Sequence, residues 1–310
     1  MAAGDLAKRV AVAAVGIPAA VAIVYAGGWV LGVVLALVAA GAAVELYRLS
    51  ALQGARPFVV PGAAIAAAFV LLAVIHRTPA AAAPALWALV VVATLALAAA
   101  AIWARGVDGL PLEAVAVTLL GATLTGGTLG YALFLRALPV PTLLFAEGGG
   151  GVGPAALGPR PWAGAALVFF PVALTWVNDA AAYFAGRAWG RRKLIPAVSP
   201  GKTVVGAVAG LIATVAAGAI WAAFVFGAWL RVPFPVVAGA LGGLVIAVVA
   251  QVGDLAESLL KREAGVKDSG RLLPGHGGLL DRFDALFFTI PVAYWFIRVV
   301  LPVLGGAAWR

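Results

Sequence analysis

The chain has 310 residues, 64% of them hydrophobic and only 11% charged. A soluble domain is nearer a quarter charged, and no soluble fold of this size could hide so much apolar surface, so lipid must serve as part of the solvent. The absence of cysteine excludes disulfides, a thiolate nucleophile and thiolate metal sites, and two histidines do not make a histidine-rich zinc site. Any metal would be a hard cation held by carboxylates and phosphate. The net charge of +9 points to anionic lipid heads and the cytoplasmic membrane face, not to nucleic acid.

Crossing the hydrocarbon takes about 20 apolar residues. That window predicts helices near 9–26, 29–47, 58–75, 84–103, 111–135, 161–178, 204–229, 233–252 and 284–303. The expected fold is all-α, a polytopic integral membrane protein of about nine transmembrane helices with its polar site on the cytoplasmic side. Lys8-Arg9 followed by an apolar run resembles a secretory signal. The run continues beyond Gly27-Gly28 as a second membrane-length stretch, so it reads as a first transmembrane helix. Residues 1–138 form an N-terminal transmembrane helical region, 139–160 a flexible external loop rich in glycine and proline, and 161–310 a C-terminal transmembrane catalytic region.

Charge tests this map. With a cytoplasmic N-terminus, fifteen of the 21 basic residues fall inside. Arg77, Arg136, Arg160, Arg231, Arg298 and Arg310 fall outside or near that end of a span. The asymmetry follows the positive-inside rule and puts both long charged segments, 179–202 and 253–283, in the cytoplasm, where nucleotides are available. The spans from 9 to 135 carry few features beyond small residues suited to close helix packing. Glu45 and Arg48, three apart at a helix end, read as an interfacial anchor pair, and Glu113 as an N-terminal dipole partner.

Two polar constellations remain. In the first, residues 175–203, Asn178 and Asp179 end an apolar run, and Asp179, Tyr183 and Arg187 share a helix face. Asp179 is either a structural carboxylate paired with a nearby arginine or part of a site. Arg191-Arg192-Lys193 is either a topogenic charge run or a phosphate contact. Ser199-Pro200-Gly201-Lys202-Thr203 forms a turn that places a lysine and a hydroxyl at the start of the next helix, where unpaired N–H groups attract anions. Lys202 is thus a candidate phosphate ligand, although the spacing is not that of a Walker loop.

The second constellation, Asp254 to Asp284, holds six of the chain's 12 acidic residues, five basic residues and one of its two histidines. Asp254, Ser258 and Lys261 follow one helical face. Gly265 and Gly270 bracket a turn at Lys267-Asp268-Ser269, and Pro274 to Gly278 form a tight loop around His276. Asp281 and Asp284, three apart, repel unless a cation or proton is shared, which a hard divalent metal would satisfy. The alternative is an interfacial salt-bridge network with Lys267, Arg271 and Arg282. Carboxylates for metal, cations for phosphate and glycine turns for close approach suggest phosphoryl or nucleotidyl transfer to a membrane lipid. A transporter would place its ionisable residues near mid-bilayer along several helices, whereas these stay at one interface.

The run Ser258-Leu-Leu-Lys261-Arg262, Lys267-Asp268-Ser-Gly, Leu-Pro-Gly-His276-Gly-Gly, Leu280-Asp281-Arg282 and Asp284 resembles the signature of the phosphatidate cytidylyltransferases, or CDP-diacylglycerol synthases. Asp179 to Arg187, Lys193 to Thr203 and Asp254-Leu-Ala-Glu257-Ser258 resemble further regions of that family in the same order. The specific resemblance covers residues 175–290; the first 135 are similar only as hydrophobic helices of the expected number. Two positions depart from the pattern. Val205 stands two residues after Thr203, where an acidic residue is usual, and three alanines follow Asp179, where a small polar residue and a glycine are usual.

The resemblance implies reaction of CTP with phosphatidate to give CDP-diacylglycerol and pyrophosphate, with Mg²⁺ and room for a second cation. It implies Asp281, Asp284, Asp254 and Lys267 as catalytic residues. It further implies Asp281, Asp254 and Asp284 as metal carboxylates, with Asp179 either joining them or holding a cation-binding lysine. Lys202, Lys261, Arg262, Ser199, Ser258, Arg282 and His276 are the phosphate-binding group. The implied partners are CTP, phosphatidate in the inner leaflet and membrane lipids, with a homodimer compatible with the small-residue faces and no nucleic acid. The alanine-, glycine- and arginine-rich composition resembles that of a GC-rich bacterial genome, so the expected location is a bacterial inner membrane. An ether-linked lipid acid as acceptor, a CTP-dependent polyisoprenoid kinase and an ion-coupled transporter are the alternatives.

Overall fold

In the computed structural model, which describes residues 3–141, 160–270 and 277–305, nine helices follow the nine apolar runs in order. They are α1 (Ala3–Ala26), α2 (Gly28–Ala51), α3 (Val59–His76), α4 (Pro79–Ala104), α5 (Pro111–Ala137), α6 (Pro161–Trp189), α7 (Val204–Trp229), α8 (Val236–Glu263) and α9 (Leu280–Leu304). Among the described residues, α2 to α9 are the eight helices long and apolar enough to cross a membrane, and the described part of α1 adds a shorter apolar stretch, Ala14–Ala26. In hydrocarbon every backbone N–H and C=O must be satisfied within the segment, which is why apolar length alone specifies helix here. The protein is all-α and multi-pass as expected. Most of the segment read as a flexible loop, 142–159, lies outside the described residues.

Helix starts are chemically marked. Proline occupies the first position of α4, α5 and α6, where its missing N–H costs nothing. Thr78 and Thr203 cap α4 and α7 by accepting from Ala81 N at 3.3 Å and Gly206 N at 3.1 Å. Two ends differ from expectation. α6 runs through Asn178 to Trp189, and α8 continues through Gly253 to Glu263, because neither stretch contains a proline. At 29 residues α6 is about 43 Å long, well beyond the hydrocarbon thickness of about 30 Å. An antiparallel hairpin follows it, β1 (Lys193–Ile195) with β2 (Ser199–Thr203). α9 is interrupted by turns at Asp284-Ala285 and Val300.

The chain divides into two units. The first contains residues 1–134 and 260–284. In it α2 packs along α3, with Tyr47 at the centre. The Tyr47 hydroxyl donates to Thr118 O at 2.7 Å, and Gly62 and Gly121 leave room for the ring. Thr118 Oγ1 in turn accepts from Phe58 N at 2.8 Å, tying the start of α3 to α5. The second unit contains residues 135–259 and 285–310. Its centre is α6 laid along α7, with Phe170 packed against Trp221, Phe226 and Phe234. Gly218 and Gly239 meet backbone to backbone, bringing α7 and α8 together.

Candidate functional site

Each unit holds one polar cluster. In the second unit a cavity of about 670 Å³ opens among α6, the hairpin, α7 and α8. That volume lies within the range of small-ligand pockets, about 300–1,000 Å³. α6 supplies Asn178, Asp179, Tyr183 and Arg187, and the hairpin supplies Lys193, Ser199, Lys202 and Thr203. α8 contributes Gln251 and Asp254. The extension of α6 beyond Asn178 is what carries Tyr183 and Arg187 to the wall, one turn apart, with the guanidinium donating to the phenol oxygen at 3.0 Å.

Hydrogen bonds order the floor of this cavity. Gln251 donates to Asn178 Oδ1 at 3.2 Å and to Ala207 O at 3.0 Å, linking α8 to α6 and α7. The Asn178 amide donates to Asp179 at 3.2 Å. The Lys202 ammonium meets Asp254 at 2.7 Å, and Ser258 donates to the other Asp254 oxygen at 3.4 Å. The walls thus present three cations, Arg187, Lys193 and Lys202, and two carboxylates, Asp179 and Asp254. Such a surplus of positive charge suits an anion with several negative oxygens. Glycine brings the walls close: a Cβ on Gly206 would stand 2.6 Å from Ala182 O, and one on Gly210 would stand 2.7 Å from Asn178 Oδ1. Val205 lies in the first turn of α7, partly exposed.

In the first unit the end of α8, the turn after it and the start of α9 gather around Asp281. Lys261 donates to Asp281 Oδ1 at 2.8 Å, with both side chains largely buried. Asp281 Oδ2 accepts from Ser269 N, Ser269 Oγ and Gly278 N, each at 2.9 Å. Gly277, at φ 78°, takes a backbone form that glycine adopts freely and that side chains disfavour, and it turns the chain toward that carboxylate. Glu45 of α2 completes the cluster: it is buried and accepts from Ser269 Oγ, Leu279 N and Leu280 N.

The expected site residues are therefore distributed. Asp179, Ser199, Lys202 and Asp254 share the cavity of the second unit, with Ser258 hydrogen-bonded to Asp254. Lys261 and Asp281 are paired in the first unit, and Asp284 lies three residues on, partly buried in the interruption of α9. Lys267, Arg262 and Arg282 are exposed, with Arg262 donating to Val266 O at 3.1 Å. His276 lies outside the described residues. Among the described residues no three Asp, Glu or His side chains converge on one point. Glu45, Asn178 and Gln251 enter the clusters without having stood out as site residues. Glu45 was legible only as a charge in an apolar span, here an internal hydrogen-bond acceptor and not an interfacial anchor.

A 187-residue stretch, 60% of the chain, is 41% identical to the uncharacterized protein YnbB of Escherichia coli (strain K12), covering 55% of it. The chain is also similar to the phosphatidate cytidylyltransferase of Synechocystis, 43% identical over 48% of this chain and 51% of that protein. The enzyme of that name from Bacillus subtilis is 42% identical over 44% of this chain and 49% of its own length. The chain spans about half the length of these relatives. A profile describing the cytidylyltransferase family matches residues 7–300, nearly the whole chain, and the protein belongs to that family.

Proposed function

We propose that the protein transfers the cytidylyl group of CTP to phosphatidate, forming CDP-diacylglycerol and pyrophosphate for phospholipid synthesis. The observation that carries this reading is the cavity of the second unit, where Arg187, Lys193 and Lys202 face Asp179 and Asp254. A triphosphate needs this surplus of cations, and the named relatives carry the same activity in their names. In the reaction a phosphatidate oxygen forms a bond to the α-phosphorus of CTP. The bond from that phosphorus to the bridging oxygen breaks, and its electron pair leaves with pyrophosphate. The attacking phosphate is already anionic, so alignment and charge neutralisation, not a strong base, are what the protein supplies.

Mg²⁺ is the cofactor in this reading. Mg²⁺ is commonly held by one or two carboxylates together with substrate phosphates, and Asp179 of α6 and Asp254 of α8, both lining the cavity, fit that donor count. Bound there, the ion would neutralise charge on the phosphates. Asp281 is more deeply buried and more crowded by donors: its side chain is 7% exposed and faces Lys261, Ser269 N, Ser269 Oγ and Gly278 N, whereas that of Asp254 is 34% exposed and faces Lys202 and Ser258. We assign Asp281 to holding Lys261 and Ser269, and the Asp281–Lys261 pair to the transfer step. Lys202, with Ser199, takes the CTP phosphates.

The location proposed is a bacterial inner membrane with a cytoplasmic N-terminus, supported by the distribution of the 21 basic residues. The chain has no cysteine, so single cysteines at 77 and at 191 report sidedness directly through a membrane-impermeant thiol reagent. The function is tested by pyrophosphate release from CTP and Mg²⁺ in detergent, with and without phosphatidate. Release that depends on phosphatidate and falls at least tenfold in Lys202→Ala is expected; release indifferent to lipid, or none, overturns the reading.

A further inference from the structure

Glu45 lies in an apolar helix yet is only 4% exposed. Burying a carboxylate is costly unless it is hydrogen-bonded, so its partners define its purpose. They come from one stretch of chain more than 220 residues away: Ser269 Oγ at 2.9 Å, Leu279 N at 3.0 Å and Leu280 N at 2.8 Å. One oxygen accepts from Leu279, the other from Ser269 and Leu280. The surrounding backbone is shaped to this carboxylate. A Cβ at Gly270 would stand 2.6 Å from Glu45 Oε1, and a Cβ at Gly278 would overlap both Glu45 Oε2 and Ser269 Oγ.

The same Ser269 hydroxyl stands 2.9 Å from Asp281 Oδ2. Having one hydrogen, it can donate to only one of the two carboxylates at a time. Ser269 N also donates to Asp281, at 2.9 Å, so a single residue connects Glu45 to the Asp281–Lys261 pair. We propose that Glu45 is a positioning residue: from α2 it holds Ser269, Leu279 and Leu280 together and thereby sets the orientation of Asp281 and Lys261. Its effect on turnover rests on the nucleotidyl-transfer reading above, whereas its hold on Ser269, Leu279 and Leu280 does not.

The test uses the full chain in detergent, with Glu45→Gln and Glu45→Ala beside the wild type and Glu113→Gln as an exposed control. Amide hydrogen exchange is followed at Ser269, Leu279 and Leu280, and kcat and KM for CTP are measured by pyrophosphate release. Exchange at those amides should rise at least tenfold in the alanine variant while the amides of α2 and α3 keep their protection. The turnover number should fall tenfold or more with KM within threefold. Glutamine, with one acceptor oxygen left, should fall between alanine and wild type, and being nearly isosteric it carries the test if alanine does not fold. Unchanged exchange at the three amides, or exchange rising equally through α2 and α3, overturns the proposal. If the wild type releases no pyrophosphate with phosphatidate, the transfer reading fails and the exchange data alone judge Glu45.

Discussion

The Lys202 ammonium and the Asp254 carboxylate meet at 2.7 Å, joining the hairpin strand β2 to α8 across the cavity of the second unit. Their side chains are 24% and 34% exposed, so the pair is neither a surface contact nor a fully desolvated one. A ligand phosphate can compete for Lys202, and a cation for Asp254. Removing Lys202 should therefore act mainly on nucleotide binding, with Lys202→Ala raising the KM for CTP at least tenfold. Asp254→Ala should act mainly on kcat. In a double-mutant cycle read by thermal unfolding, their coupling should be on the order of 1 kcal/mol. Effects on KM and kcat that are the same for both variants would contradict the separate roles.

Close packing of α6 on α7 depends on the absence of side chains at Gly206 and Gly210. Alanine at 206 would put a Cβ 2.6 Å from the Ala182 carbonyl, which is backbone and cannot swing aside. Such overpacking typically costs about 1–3 kcal/mol. Gly206→Ala should lower the unfolding temperature in detergent and reduce activity, because the cavity wall must move. Gly201→Ala, where a Cβ meets nothing within 4 Å, should leave the unfolding temperature unchanged.

The spans were legible because hydrocarbon allows so few backbone solutions. Their ends were not. Asn178 looked like a terminus because polarity begins there, but the helix stops only at Trp189, before Gly190. Polar residues do not by themselves break a helix, so the length of α6 followed from the absence of proline between Asn178 and Trp189 and not from hydropathy. Ser199 to Thr203 read as a turn leading into a helix; it is a strand paired with Lys193–Ile195, and only Thr203 caps the helix. The charges of the cavity, Asp179, Lys202 and Asp254, could be picked out by type. Their neutral partners could not: Gln251 reaches Asn178 across 73 positions, a relationship that sequence spacing does not encode.

Metal dependence gives a further check. With Asp179 and Asp254 as the cavity carboxylates among the described residues, the phosphates would complete the coordination of Mg²⁺, so affinity for the ion should be low without nucleotide. Chelation by EDTA should abolish pyrophosphate release, and excess Mg²⁺ should restore it. Titration calorimetry should show Mg²⁺ binding strengthened at least tenfold by CTP, and the gain should vanish in Asp254→Ala. Tight binding in the absence of nucleotide would point to a cation site built by protein groups alone.

The carboxylate of Asp281 lies within hydrogen-bond distance of four donors, one of them a largely buried ammonium. Asp281→Asn keeps the shape but places an NH₂ against either Lys261 or the donors of Ser269 and Gly278. Lys261 then holds an uncompensated charge in poorly solvated surroundings, and breaking such a pair from one side typically costs about 3 kcal/mol or more. Lys261→Met with Asp281→Asn removes both charges together, so stability should partly return while activity does not. The measurement is thermal unfolding and pyrophosphate release on the two single variants and the double. Recovery of activity along with stability would mean that the pair only supports the fold; recovery of stability alone would assign Asp281 and Lys261 to the transfer step itself.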